Sequence, residues 1–175
     1  MEAKRVDLPL SPEAIANLRA GDVVVLYGTA YTARDAAHKR LHAMMQAGEE
    51  LPIPLQGACI YYAGPCPAAP GEVIGPCGPT TSGRVDAYTP ALLALGMSAM
   101  IGKGMRSAEV KAAMHGRAVY FAATGGAGML IARHITEAKV VAFPELGAEA
   151  ITKLTFDGVP AIVAIDAMGN DLFER

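Results

Sequence analysis

Short β-branched or apolar runs that stop at glycine, each followed by a capped helical pattern, recur along this chain and restrict it to an α/β architecture. Residues 22–27 (Asp-Val-Val-Val-Leu-Tyr) end at Gly28 and read as a buried strand behind a proline-containing opening arm. A helix is expected over 33–47, where Ala37, Leu41, Met44 and Met45 share a face. Thr32 is its capping candidate, with Asp35 three residues on, and Gly48 lies just past its end. A short strand over 58–63 precedes a loop, 64–79, dense in proline and glycine. That loop is too long for a simple connector and is expected to lie against a surface or another subunit.

The remainder keeps the same rhythm. Thr89 caps a helix with Pro90 at its first position and Gly96 as its stop; 97–101 is a strand, 107–115 a helix and 118–123 a strand. The run Gly125-Gly126-Ala127-Gly128 opens a helix reaching about His134, 139–143 is a strand and 145–150 a turn or short helix. Residues 152–156 and 159–166 form a pair of strands, the second nearly all apolar and therefore central. No repeat or low-complexity tract interrupts the pattern, and residues 1–175 are read as one domain.

Composition narrows the function. With 52% hydrophobic and 18% charged residues the chain is a globular protein, and a formal charge of −2 supplies no footprint for nucleic acid or an anionic membrane. No apolar run approaches the roughly eighteen residues of a membrane span, and the first residues alternate charged with apolar, unlike a signal peptide. The expected compartment is the cytoplasm. Cys59, Cys66 and Cys77 lack the tight spacing of a zinc or cluster site and read as buried or incidental thiols.

Two glycine patterns fail as nucleotide sites. Gly102-Lys103 lacks the earlier glycine of a P-loop and is followed by Gly104 where Ser or Thr is needed. Gly126-Ala127-Gly128 runs on to Ile131 where a dinucleotide fingerprint needs Gly or Ala, so these glycines read as a tight strand-to-helix turn or the lining of a helix terminus.

A different chemistry is concentrated in Gly78-Pro79-Thr80-Thr81-Ser82-Gly83-Arg84-Val85-Asp86 and in Ile101-Gly102-Lys103-Gly104. Three hydroxyls, a guanidinium and an ammonium sit on glycine-flanked loops. Taken singly, each has a plain reading: hydroxyls capping a turn, Arg84 at the surface or paired with Asp86, Lys103 at a solvated loop tip. Together they can solvate one carboxylate and grip it with a bidentate fork. Arg34, at a helix start, is a cation where the macrodipole disfavours one by roughly 0.3–1 kcal/mol, a penalty that a bound carboxylate reverses. It too can be a solvated arginine, and His38, one turn on, reads as a partly buried or surface histidine.

The Thr-Thr-Ser-Gly-Arg-Val-Asp string, the Ile-Gly-Lys-Gly block and Arg34-Asp35-Xaa-Ala37-His38-Lys39 resemble the iron-sulfur-dependent hydro-lyases of the class I fumarase and L-tartrate dehydratase family, in their beta subunit or C-terminal domain. The resemblance continues through Ala118-Val119-Tyr120-Phe121, Gly125-Gly126-Ala127, Glu145-Leu146-Gly147, Glu149-Ala150-Ile151, Pro160-Ala161-Ile162-Val163 and Gly169-Asn170-Asp171-Leu172, blocks that look structural. Val85 stands where Met is common. The resemblance implies a single swivelling β/β/α domain with mixed sheets. It also implies a substrate clamp from Arg34, Arg84 and Lys103, and proton transfer by Thr80, a poor base that needs the neighbouring cations.

The implied reaction is reversible hydration of fumarate to malate, with L-tartrate dehydration or a non-catalytic anion-binding module as the alternatives. The implied cofactor is a [4Fe-4S] cluster, acting as a Lewis acid and carried by a partner alpha subunit, in an assembly such as a heterotetramer.

Overall fold

The computed structural model describes residues 2–124 and 126–174. Gly125, expected at the opening of a helix, lies outside the described residues. Among the described residues, seven strands form one mixed sheet: β1 (Lys4–Leu8), β2 (Val23–Thr32), β3 (Cys59–Tyr61), β4 (Ala99–Gly102), β5 (Val119–Ala122), β6 (Ile135–Ala142) and β7 (Ile151–Ile165). Among the same residues five α-helices accompany them: α1 (Pro12–Asn17), α2 (Asp35–Gln46), α3 (Thr89–Ala94), α4 (Ala108–Met114) and α5 (Gly128–Arg133). The α/β reading holds, with one sheet in place of several.

Strands β1 to β5 run parallel in chain order, and β7 runs antiparallel to β2, β5 and β6. Because β7 pairs with both β2 and β5, the sheet curls back on itself through β2-β3-β4-β5-β7, leaving β1 and β6 as edges. The period-2 alternation of side chains divides the core. Cys59, Tyr61, Ala99, Ile101, Val119 and Phe121 pack on one face with Leu154 and Phe156. Ile60, Tyr62, Met100 and Tyr120 pack on the other, beneath Leu41 of α2, Leu92 and Leu93 of α3, and Val110 and Met114 of α4.

Several boundaries differ from the local reading, each for a long-range reason. The opening arm contains β1 and α1: Val6 and Leu8 bury one side of the edge strand, and the Ser11 hydroxyl caps α1 by accepting from Ala14 N. Residues 152–156 and 159–165 belong to one strand, because the ladder to β2 continues across Asp157-Gly158, absorbing Gly158 as a bulge at φ +86°. Thr32 does not cap α2. It ends β2 fully buried, where its hydroxyl donates to Ala150 O and accepts from Thr152 N, and Arg34 takes the N-cap position. Tyr88, not Thr89, precedes α3, and the Thr89 hydroxyl donates to Val85 O. The 64–79 loop is held by its own chain: Cys66 N donates to Pro76 O, Cys77 N to Gly128 O and the Tyr61 hydroxyl to Cys77 O.

Gly28 does not end β2. It sits inside the strand at φ +106°, and a Cβ there would lie 2.2 Å from Leu8 O on the paired strand β1. Gly28→Ala is therefore expected to lower unfolding stability by at least about 2 kcal/mol, measured by urea denaturation. An unchanged midpoint would contradict this account of the β1–β2 pairing.

Candidate functional site

Parallel strands deliver their C-terminal ends to one rim of the sheet, where open α/β sheets place ligands. Arg34 follows the end of β2, Gly64 the end of β3, and Lys103 directly follows Gly102 at the end of β4. The 80–86 segment returns across this rim. Thr80 N donates to Tyr62 O at 2.7 Å, and Lys103 N to Thr80 O at 3.2 Å. Ser82 N in turn donates to Lys103 O at 2.9 Å, giving a parallel bridge between Thr81 and Lys103. The short 3-10 turn Ser82–Val85 then lifts Arg84 into solvent. Thr80, Arg84 and Lys103 are thus brought onto two bonded loops.

Arg34 joins them through β3. Ala33 N donates to Tyr61 O at 3.0 Å, and the next carbonyl, Tyr62 O, receives both the Thr80 amide and the Thr80 hydroxyl, the latter at 2.9 Å. Consecutive carbonyls of one strand end therefore tether the Arg34 and Thr80 segments. The threonine proton points at Tyr62 O, which leaves lone pairs on Oγ1 to accept from outside. Among the described residues, Arg84 and Lys103 make no ion pair or side-chain hydrogen bond.

Asp86 is not the partner of Arg84. Its Oδ1 accepts from Arg106 Nε at 2.7 Å and its Oδ2 from Ser107 N at 2.7 Å, so both oxygens are committed beneath the site. Arg106 has no exposed side-chain surface; its Nη2 donates to Thr89 Oγ1 at 3.0 Å, and its guanidinium lies over the rings of Tyr62 and Tyr120 at 5.1 and 4.9 Å. Burial works against the arginine's charge, but Tyr62 and Asp86 outweigh it, and its pKa is raised. The Tyr120 hydroxyl, pushed up to about 12 chiefly by burial, donates to Gly104 O at 2.9 Å and meets Ser82 Oγ at 2.8 Å. Gly102 admits this packing, since a Cβ there would lie 2.0 Å from Ser82 Oγ.

These supports were not recognised in the sequence. The available signal was an acid two residues after Arg84 and an arginine three residues after Lys103.

No thiol cluster forms here. Cys59 and Cys77 are buried, burial raising the first strongly and pushing the second up to about 12, and Cys66 is exposed on the long loop. Among the described residues no three His, Cys, Asp or Glu side chains gather as metal ligands, so this chain's donors do not fit an iron-sulfur cluster. No helix of the described residues is long and apolar enough to cross a membrane.

The sequence model of the fumarase C-terminus matches residues 1–175. The chain is 40% identical to the anaerobic class I fumarate hydratase of Escherichia coli K12, over 99% of this chain and 33% of that protein. It is 37% identical to fumarate hydratase 2 of Leishmania major, over 93% of this chain and 29% of that protein. A proposed L(+)-tartrate dehydratase subunit beta from Methanocaldococcus jannaschii is 37% identical over 95% of this chain and 89% of its own length. The chain thus spans about a third of the fumarate hydratases it matches.

His38 is fully buried behind this rim, not partly exposed. Its Nδ1 donates to Arg34 O at 2.8 Å, and its ring stands 5.6 Å from that of Tyr62. Burial pushes its pKa down to about 4; Arg106 adds to the shift, and the bond to Arg34 O and the charge of Asp35 oppose it. The unfolded chain therefore binds the extra proton between about pH 6.5 and pH 4, and stability falls as the pH drops through that window. The full effect is on the order of 3 kcal/mol. Denaturant titrations across this range should show a shallower pH slope for His38→Gln than for the parent; equal slopes would contradict a neutral buried imidazole.

Proposed function

We propose that this chain, which belongs to the fumarase C-terminus family, provides the carboxylate-binding and proton-transfer half of a hydro-lyase that hydrates fumarate to malate. The observation that carries the reading is the bonded pair of loops at the strand rim. It carries Thr80 together with two cations, Arg84 and Lys103, that have no ion-pair partner among the described residues. Arg84 offers a planar fork to one carboxylate, Lys103 a compact ammonium, and Arg34 approaches from the neighbouring strand end.

In hydration the Thr80 hydroxyl turns its proton from the Tyr62 carbonyl, to which it donates, onto the carbon beside a carboxylate and is left as an alkoxide; in dehydration the alkoxide takes that proton back, and the cations of the two loops favour the negative charge on its oxygen. Tyr62 O holds the Thr80 amide and hydroxyl, and Lys103 N holds the Thr80 carbonyl, so the loops need little reorganisation as charge moves.

The other half is assigned to an alpha subunit carrying the [4Fe-4S] cluster, within a larger oligomer in the cytoplasm. Two findings support this division: this chain's thiols do not converge, and the chain resembles a protein described as a beta subunit over most of that protein's length. L-tartrate dehydration is the second reading, supported by that same relative.

Purified with the cluster-bearing partner under anaerobic conditions, the complex should consume fumarate, followed by its absorbance, and the chain alone should not. Arg84→Ala should lower kcat/KM about 100-fold, for two charge-assisted bonds of about 1.5 kcal/mol each, with assembly intact. Parallel assays with L-tartrate separate the two substrates. Turnover by the lone chain, or an Arg84→Ala complex as active as the parent, would contradict the proposal and favour an anion-binding or assembly role.

A further inference from the structure

Arg34 has a second neighbour that the sequence does not advertise. The 3-10 turn Pro144–Glu149 docks on α2, with Arg40 Nη2 donating to Glu145 Oε1 at 2.5 Å and the Arg40 guanidinium lying 4.8 Å from the Phe143 ring centre. Ala36 and Arg40 are one helical turn apart on α2, and the docked segment kinks at Gly147 (φ 61°, ψ −122°) between Glu145 and Glu149. The docking therefore brings Glu149 to the first turn of α2, where its Oε1 accepts from Ala36 N at 3.4 Å and lies 4.0 Å from Arg34 Nε.

The arginine is confined on its other side. A Cβ at Gly64 would stand 2.9 Å from both Cδ and Nη1 of Arg34, and 3.0 Å from Ala148 O. The side chain thus runs through a slot between the end of β3 and the docked turn. Its Nε is buried there without a hydrogen-bond partner. A buried donor on a charged group is costly to leave unmatched, and a carboxylate oxygen of Glu149 lies 4.0 Å away. A shift of about 1 Å closes the pair to ordinary bonding distance.

We infer that Glu149 is a positioning residue that holds Arg34 by its Nε, so that the two terminal nitrogens face outward as a fork for a substrate carboxylate. The guanidinium has five N–H donors in fixed directions, and engaging Nε from the turn side orients the remaining edge toward the rim where Thr80 is tethered. The blocks Glu145-Leu146-Gly147 and Glu149-Ala150-Ile151, which look purely structural in the sequence, then gain a functional member. The inference rests on the proposed role of Arg34 in binding carboxylate.

The test uses Glu149→Gln, which keeps an oxygen for Ala36 N and removes the charge, with Glu149→Ala and Arg34→Ala as companions. In the cluster-loaded complex, Glu149→Gln should raise KM for fumarate about tenfold with kcat changed less than about twofold, and Glu149→Ala should do at least as much. On the full chain alone, the Arg34 Nε–H signal in a nitrogen-proton NMR spectrum, assigned by its loss in Arg34→Lys, should exchange with water at least tenfold faster in Glu149→Gln. An unchanged KM and unchanged exchange in both Glu149 variants, with KM raised in Arg34→Ala, would overturn this inference alone. No effect of Arg34→Ala on KM would overturn the carboxylate role of Arg34 itself. A lowered KM in Glu149→Gln would show Glu149 competing with substrate and would also overturn the inference.

Discussion

The buried ion pair between Asp86 and Arg106 determines what the two site loops can do. Arg84 and Lys103 lie at the surface on separate segments, and two such cations repel one another. Beneath them, two residues after Arg84 and three after Lys103, an opposite pair closes at 2.7 Å with no exposure of the arginine side chain. Breaking such a pair from one side costs roughly 3–5 kcal/mol, because the surviving charge is left buried and uncompensated. Thr89, Tyr62 and Tyr120 take up the rest of the guanidinium, and Ser107 N the second carboxylate oxygen. The pair thus fixes which loop geometry survives, and that geometry sets the two cations on loops bonded to each other.

The curled sheet supplies the rest. Four parallel strands carry their following loops to one rim, and β7 locks that arrangement by pairing with β2 and β5. Glycine at 102 lets Ser82 and Tyr62 approach the end of β4, and the Tyr120 hydroxyl fixes Gly104 O. The chain as a whole is close to neutral at −2, so the rim's attraction for a small anion is local. A dicarboxylate that meets Arg34, Arg84 and Lys103 has its charges satisfied, while the chain's cysteines remain dispersed. Under the proposed reading this chain is a substrate-holding half, and the metal chemistry belongs to a second body.

Much of the fold is written locally. The helix begun by Ser107 and the nearly all-apolar run that becomes the C-terminal half of β7 follow from capping and hydrophobic pattern alone. What escapes local reading is pairing at a distance. Asp157-Gly158 has the signature of a turn, yet the β2 ladder continues across it with Gly158 bulged; Thr32 resembles a cap, yet its hydroxyl is claimed by residues 150 and 152. The candidate site divides the same way. Thr80, Arg84 and Lys103 stand out as unusual chemistry on glycine-flanked loops, whereas Asp86, Arg106, Tyr120 and Glu149 look ordinary until the fold brings them beneath or beside those residues.

The central claim is that Arg34, Thr80, Arg84 and Lys103 form one dicarboxylate seat at the ends of β2, β3 and β4. Its most direct test is a crystal structure of the chain with its cluster-bearing partner and a bound dicarboxylate. The account predicts substrate carboxylate oxygens within about 3.2 Å of the Arg34, Arg84 and Lys103 side-chain nitrogens, with Thr80 Oγ1 facing a substrate carbon. Substrate bound elsewhere, with Arg84 and Lys103 left in solvent, would contradict it.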